Sequence, residues 1–152
     1  MKTRLIRSGI LLAALAVGLF YPACAAAQKS LQYSVGKEGT RDYEELDFYT
    51  EKDGRGDIYY SYGKAGKAIE LVYLGKDTCQ GSPCFKVQFP NRLILYVAPQ
   101  KSALLVTDGK GKYKKTFEWQ YEGPVNGIGT FCEVCAADED EAMALIKQYF
   151  LQ

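Results

Sequence analysis

The sequence predicts a mainly β protein: an antiparallel meander closing into a small barrel or a strongly curved sheet, with one C-terminal helix docked on it. Three observations carry this. Several runs alternate apolar and polar residues with period two. Glycine-rich turn signals separate them at spacings near ten residues. A single stretch, at the C-terminal end, switches to helical spacing.

The alternation is clearest in three runs. Phe85, Val87 and Phe89 share one face, with Lys86 and Gln88 on the other. Phe117, Trp119 and Tyr121 lie opposite Thr116, Glu118 and Gln120, and Ile58, Tyr60 and Tyr62 line up in the same way. Successive side chains of a strand point to opposite faces, so this pattern is what a half-buried strand needs. The runs 69–74, 93–97 and 104–107 are more continuously apolar and read as central strands. Residues 46–50 add a further strand and 31–35 a weak one, inside a polar stretch, 28–42, expected to be partly disordered. Turns fall at 52–57, 63–66 and 108–111, each supplying glycine for positive φ, and Asp108-Gly109 is a strong hairpin signal. Seven or eight such strands suffice for a small barrel.

Asp138 followed by Glu141 forms a capping-box-like start, with acidic side chains crowded where a helix N-terminus favours them. Ala142, Leu145, Ile146, Tyr149 and Phe150 then fall on one stripe, so a helix over 138–151 is expected to face the core.

The N-terminal end belongs to a different class of segment. Lys2, Arg4 and Arg7 precede a short apolar run over residues 10–20, followed by Pro22 and small residues up to Ala27. This is the three-part pattern of a secretory signal peptide over 1–27, too short for a spanning helix. It places the mature protein, 28–152, in the periplasm or outside the cell as a single β-rich domain. Cys24 offers an alternative in which it carries a lipid anchor, but Tyr21 and Pro22 fit a lipoprotein signal poorly. The whole chain has 19 basic and 18 acidic residues. Without the three basic residues of the leader, 16 basic and 18 acidic remain, net −2, so no field points to nucleic acid.

The chain contains no histidine. That removes Ser-His-Asp and Cys-His nucleophilic sites and mixed Cys/His zinc sites. No phosphate loop is spelled, and the acidic cluster Asp42, Glu44, Glu45 and Asp47 reads as a solvated edge. An enzyme is therefore not expected, nor a cofactor or a metal.

Four cysteines remain after the leader: Cys79, Cys84, Cys132 and Cys135. An even count in a secreted chain implies two disulfides. Gly81 and Pro83 let the chain turn back between Cys79 and Cys84, which favours local pairing over cross pairing. The CxxC run from Cys132 to Cys135 is read as a brace at the strand-to-helix junction. Its alternatives are a four-thiolate zinc site and a thiol oxidoreductase using Cys132 and Cys135. The acidic residues that follow would raise a thiol pKa, and the βαβ context of a thioredoxin-like site is absent.

Two features could form a binding face. Tyr59 and Tyr60 are neighbours on one strand, hence on opposite faces, so one of them is expected to be exposed. Lys110, Lys112, Lys114 and Lys115 crowd one turn and could face an acidic partner. The early Gly-x-Trp signature of lipocalin-like barrels is absent, the only tryptophan being Trp119. The expected function is a non-catalytic binding protein of inhibitor or immunity type, acting on another protein of the cell envelope. A barrel carrier for a small apolar ligand is the alternative.

Overall fold

A computed structural model of the chain describes residues 29–50, 56–64, 66–120 and 135–152. The leader with Cys24, the turn at 52–55, and Cys132 lie outside them.

Eight strands run in chain order around a closed antiparallel barrel. They are β1 (Lys29–Val35), β2 (Glu44–Thr50), β3 (Gly56–Tyr62), β4 (Ile69–Cys79), β5 (Ser82–Gln88), β6 (Ile94–Pro99), β7 (Ala103–Thr107) and β8 (Lys114–Gln120), followed by the helix α1 (Glu139–Phe150). Closure is made by β1 on β8, where Gln32, Tyr33 and Ser34 pair with Gln120, Trp119 and Glu118. The stretch expected to be partly disordered therefore contains a full barrel strand. Leu31 and Tyr33 are buried, and burying them offsets the cost of ordering their polar neighbours.

Period-two patterning places one set of side chains inside. Leu31, Tyr33, Leu46, Phe48, Ile58, Leu71, Phe85, Val87, Leu95, Val97, Leu104, Val106 and Phe117 are all buried. Tyr33 meets Phe48 edge-on at 6.0 Å between ring centroids, and Phe48 meets Phe85 at 6.3 Å. Side chains, not an open channel, occupy the middle of the barrel, as in other barrels of this strand number.

Two departures from the sequence pattern occur on β4 and β5. β4 continues to Cys79, past the apolar run that ends at Leu74, and β5 begins at Ser82, ahead of Cys84. A two-residue turn joins them. Gln80 and Gly81 both have positive φ, 51° and 82°, and Cys79 pairs with Ser82. Such a turn matches the right-handed twist of the flanking strands. The extension escapes pattern reading because Lys76, Asp77 and Thr78 are exposed and carry no apolar alternation. A bulge between Tyr73 and Gly75 shifts the register, with Gly75 at φ 104°. Pro83 is accommodated because β5 joins β6 only from Phe85 onward.

The helix begins as expected. Asp138 is the N-cap, its side chain accepting from the Glu141 N–H at 2.8 Å, and Glu141 reaches back to the Ala137 N–H at 2.6 Å. Ala142, Met143, Ile146 and Phe150 are buried, with Leu145 and Tyr149 at the margins of the stripe. α1 lies against β6 and closes one end of the barrel. Phe150 enters that end, stacked on Phe85 at 5.2 Å and edge-on to Phe48 at 5.4 Å. Gly56 makes room for it, since a Cβ there would lie 2.4 Å from Phe150 Cζ. The start of the helix is tied to β1: Ala136 N–H donates to the Ser30 carbonyl, and Lys29 Nζ bonds the Cys135 carbonyl at 3.1 Å. No described helix is long and apolar enough to cross a membrane.

Candidate functional site

The barrel has two ends and an outer wall. The end opposite α1 is a mouth rimmed by the β1–β2, β3–β4, β5–β6 and β7–β8 connections. Inward positions at this level hold Glu44, Tyr60, Lys115 and Tyr113 rather than aliphatic side chains. Lys115 Nζ lies 2.5 Å from Glu44 Oε1, and Tyr113 donates its hydroxyl to Glu44 Oε2. The Tyr60 phenol lies beside the same carboxylate. Lys115 also sits over the Tyr113 ring, 5.7 Å from its centroid. Both carboxylate oxygens are engaged, so the cluster ties β2 to β8 and the turn before it.

The phenols follow from this environment. Burial, then the hydrogen bond and charge of Glu44, hold Tyr113 well above the usual tyrosine range; burial and the same carboxylate do this to Tyr60. Tyr43, bonded to Glu45, is pushed up to about 12, by burial first and then by that hydrogen bond. Inside the barrel, burial raises Tyr33. Each of these groups binds its proton more tightly folded than unfolded, where the value is 10.0. The resulting stability is fully present below pH 10 and is lost as the pH rises through the folded-state values. Urea midpoints are expected to hold constant from about pH 8 to about pH 9 and to fall above pH 10, together with the rise in tyrosinate absorbance. A midpoint unchanged at about pH 11 would contradict the cluster as described.

On the outer wall a groove of about 670 Å³ lies between the β4–β5 hairpin and the β7–β8 turn. Its floor follows from alternation: Leu95 and Val97 point inward, so Tyr96 and Ala98 point out, and Leu105 and Thr107 do the same between Leu104 and Val106. One wall is the hairpin tip, with Asp77, Thr78, Gln80 and Ser82. The Cys79–Cys84 disulfide braces that tip, with Cα atoms 5.7 Å apart. The other wall is the turn over residues 108–113. Gly109, at φ 70°, lets the turn rest on the Tyr96 ring, because a Cβ there would lie 3.1 Å from its Cε2.

Two acids near the groove are already committed. The Thr78 N–H and then Lys86, 3.4 Å away, hold the Asp77 carboxyl below its usual value. Burial opposes ionisation of Asp108, yet the backbone N–H groups of its own turn, that of Lys110 first, keep it below the usual range.

The four lysines of this turn separate. Lys110, Lys112 and Lys114 are exposed, and Lys114 lines the groove. Lys115 turns inward to Glu44, as the inward position of Phe117 two residues on requires. The tyrosine pair also separates. Tyr60 faces the mouth, 5.0 Å from the Phe89 ring, and Tyr59 faces outward, edge-on to Tyr49 at 5.7 Å. Neither is exposed; both are half-buried, and Tyr62 is the exposed tyrosine of this strand, at 57%. Aromatic neighbours on adjacent strands cover the pair.

The paired cysteines Cys79 and Cys84 are removed from any four-thiolate cluster. Cys135 is disulfide-bonded as well, and Cys132 lies outside the described residues.

Pattern reading missed three things. Glu44 sits in an acidic cluster read as a solvated edge, although Leu46 and Phe48 set the inward phase that includes it. Tyr96 and Leu105 were hidden in runs apolar enough to pass for central strands. Val72, Tyr73 and Leu74 belong to another such run, yet they are exposed on β4.

No family model matches this chain, and neither a curated protein nor a solved structure is significantly similar to it.

Proposed function

We propose that this protein acts in the periplasm or outside the cell by binding another protein of the envelope, without catalysis. The surface it uses is the side of the barrel that carries the β4–β5 hairpin. The observation behind this is the pair Val72 and Leu74: two large apolar side chains two residues apart on β4, 57% and 41% exposed, while Tyr73 between them turns the other way, to Phe150. Contiguous exposed apolar surface rimmed by polar residues is a mark of contact sites. The disulfide stiffens the same hairpin, so less freedom is lost when a partner docks. An inhibitor or immunity protein works in this way, by covering part of its partner.

The chemistry of these side chains supports a non-catalytic role. The chain lacks histidine, Glu44 is held by an ion pair and a hydrogen bond, and the phenols around it are held protonated. A carrier of an apolar ligand would need room inside the barrel. Tyr33, Phe48, Phe85, Phe117 and Phe150 fill it, so a ligand could enter only by displacing some of these side chains. A thiol oxidoreductase would need an easily formed thiolate at Cys135, just ahead of a turn carrying Glu139, Asp140 and Glu141.

A photoreactive side chain placed at Val72 is expected to cross-link a protein in envelope extracts, whereas one at the exposed Glu118, on β8, is not. Equal adducts from both positions, or none from either, would contradict the proposal.

A further inference from the structure

We propose that the groove between the β4–β5 hairpin and the β7–β8 turn takes an acidic, extended peptide segment of the partner, its carboxylates on Lys110, Lys112 and Lys114 and an apolar side chain on Tyr96 and Leu105. This rests on the protein-binding function above and gives the partner its chemistry.

Charge supplies the sign. Among the described residues, no acid lies within ion-pair distance of Lys110, Lys112 or Lys114. The two acids nearest the groove are spent: Asp77 on Lys86 and the Thr78 N–H, Asp108 on the backbone of its own turn. Lys114 lines the groove and Lys110 and Lys112 flank it on the same turn; among the described residues none of the three has a counter-ion, and a ligand of opposite charge is the complement they fit.

The floor and far wall supply the class. Tyr96 and Leu105 are outward-facing and half-buried, giving an apolar strip along the groove. Thr78, Gln80 and Ser82 across from it offer hydroxyl and amide groups suited to the N–H and C=O of a peptide backbone. An extended peptide alternates its side chains, so acidic residues can face the lysine lip while apolar ones meet the floor. A sulfated or phosphorylated polysaccharide would satisfy the lysines but would leave the apolar strip without a counterpart.

The test uses the full-length mature protein and a blocked, fluorescent five-residue peptide alternating aspartate and leucine, followed by anisotropy and by amide chemical shifts. Expected are shifts at Tyr96, Leu105 and Gly109, affinity that falls with added salt, and roughly tenfold weaker binding by the triple variant K110S/K112S/K114S. All three lysines are exposed, so the variant is expected to fold. Equal binding of the lysine-for-aspartate peptide, no shifts in the groove, or unchanged affinity in the variant would overturn the assignment. Displacement of the peptide by a sulfated polysaccharide that shifts the same residues more strongly would also overturn it, in favour of an anionic glycan. A Val72 adduct without groove shifts would discard the acidic peptide and leave protein binding standing. Groove shifts without an adduct would keep the acidic-peptide groove and remove Val72 from the contact.

Discussion

Replacing Phe150 by alanine is expected to destabilise the protein by roughly 3–5 kcal/mol, the largest effect of any single side chain in α1. Phe150 is 1% exposed, at the far end of the helix from its cap. Its ring meets Phe85, Phe48 and Tyr73 with centroids 5.2, 5.4 and 5.7 Å away, and its carbonyl accepts the Tyr73 hydroxyl at 2.8 Å. Truncation would leave a void between rings that are themselves held by the barrel, so little collapse can fill it. The helix would keep its capping box but lose its anchor. Urea unfolding followed by far-ultraviolet circular dichroism measures this. A loss below about 1 kcal/mol would mean that α1 is not a structural closure of the barrel.

Glu44→Ala is the second large effect, expected at roughly 2–3 kcal/mol. Removing the carboxylate leaves Lys115 without its ion pair and Tyr113 without its acceptor, in a mouth where Glu44 itself is only 13% exposed. Lys115 is 35% exposed and can regain water, which keeps the cost below that of a fully buried pair. Glu45 provides the control. It points outward, bonding Tyr43 and Ser61, and Glu45→Ala is expected to cost about 1 kcal/mol or less. Equal losses from the two variants, read from denaturant midpoints, would contradict the inward placement of Glu44.

Much of this fold was legible before any coordinates. The alternation around Phe85, Trp119 and Ile58 depends only on which side chains meet water, and it located three strands and their phase. Glycine at Gly109 and the capping pair Asp138 and Glu141 act through local backbone chemistry, which is why those boundaries were readable. Closure was expected as one of two forms; the pairing that makes it, Tyr33 with Trp119, was not readable, because it joins residues at opposite ends of the β region and leaves no local trace. The hairpin extension was illegible for a related reason: residues 76–79 do not cover the core, so hydrophobicity does not record that they are a strand. The local Cys79–Cys84 bond was anticipated from the glycine between them.

The site was harder to read than the fold. The lysine turn could be located, yet Lys115 had to be separated from its neighbours by phase, which the inward Phe117 already fixes. Tyr59 and Tyr60 were placed on opposite faces correctly, but their burial depends on Tyr49 and Phe89, brought close only by the folded barrel. The groove requires three segments to converge, and no local pattern encodes that convergence. Exposure of Val72 and Leu74 is equally a tertiary property, since apolar strand residues are ordinarily read as core.

The most direct test of the central claim, recognition of another protein through the hairpin side, is affinity capture from envelope extracts with the wild type and the double variant V72D/L74D. Both positions are exposed, so the variant is expected to fold, which an unchanged circular dichroism spectrum would verify. A discrete protein retained by the wild type and lost by the folded variant is expected. Retention of the same protein by the variant, or its absence from the wild type, would contradict it.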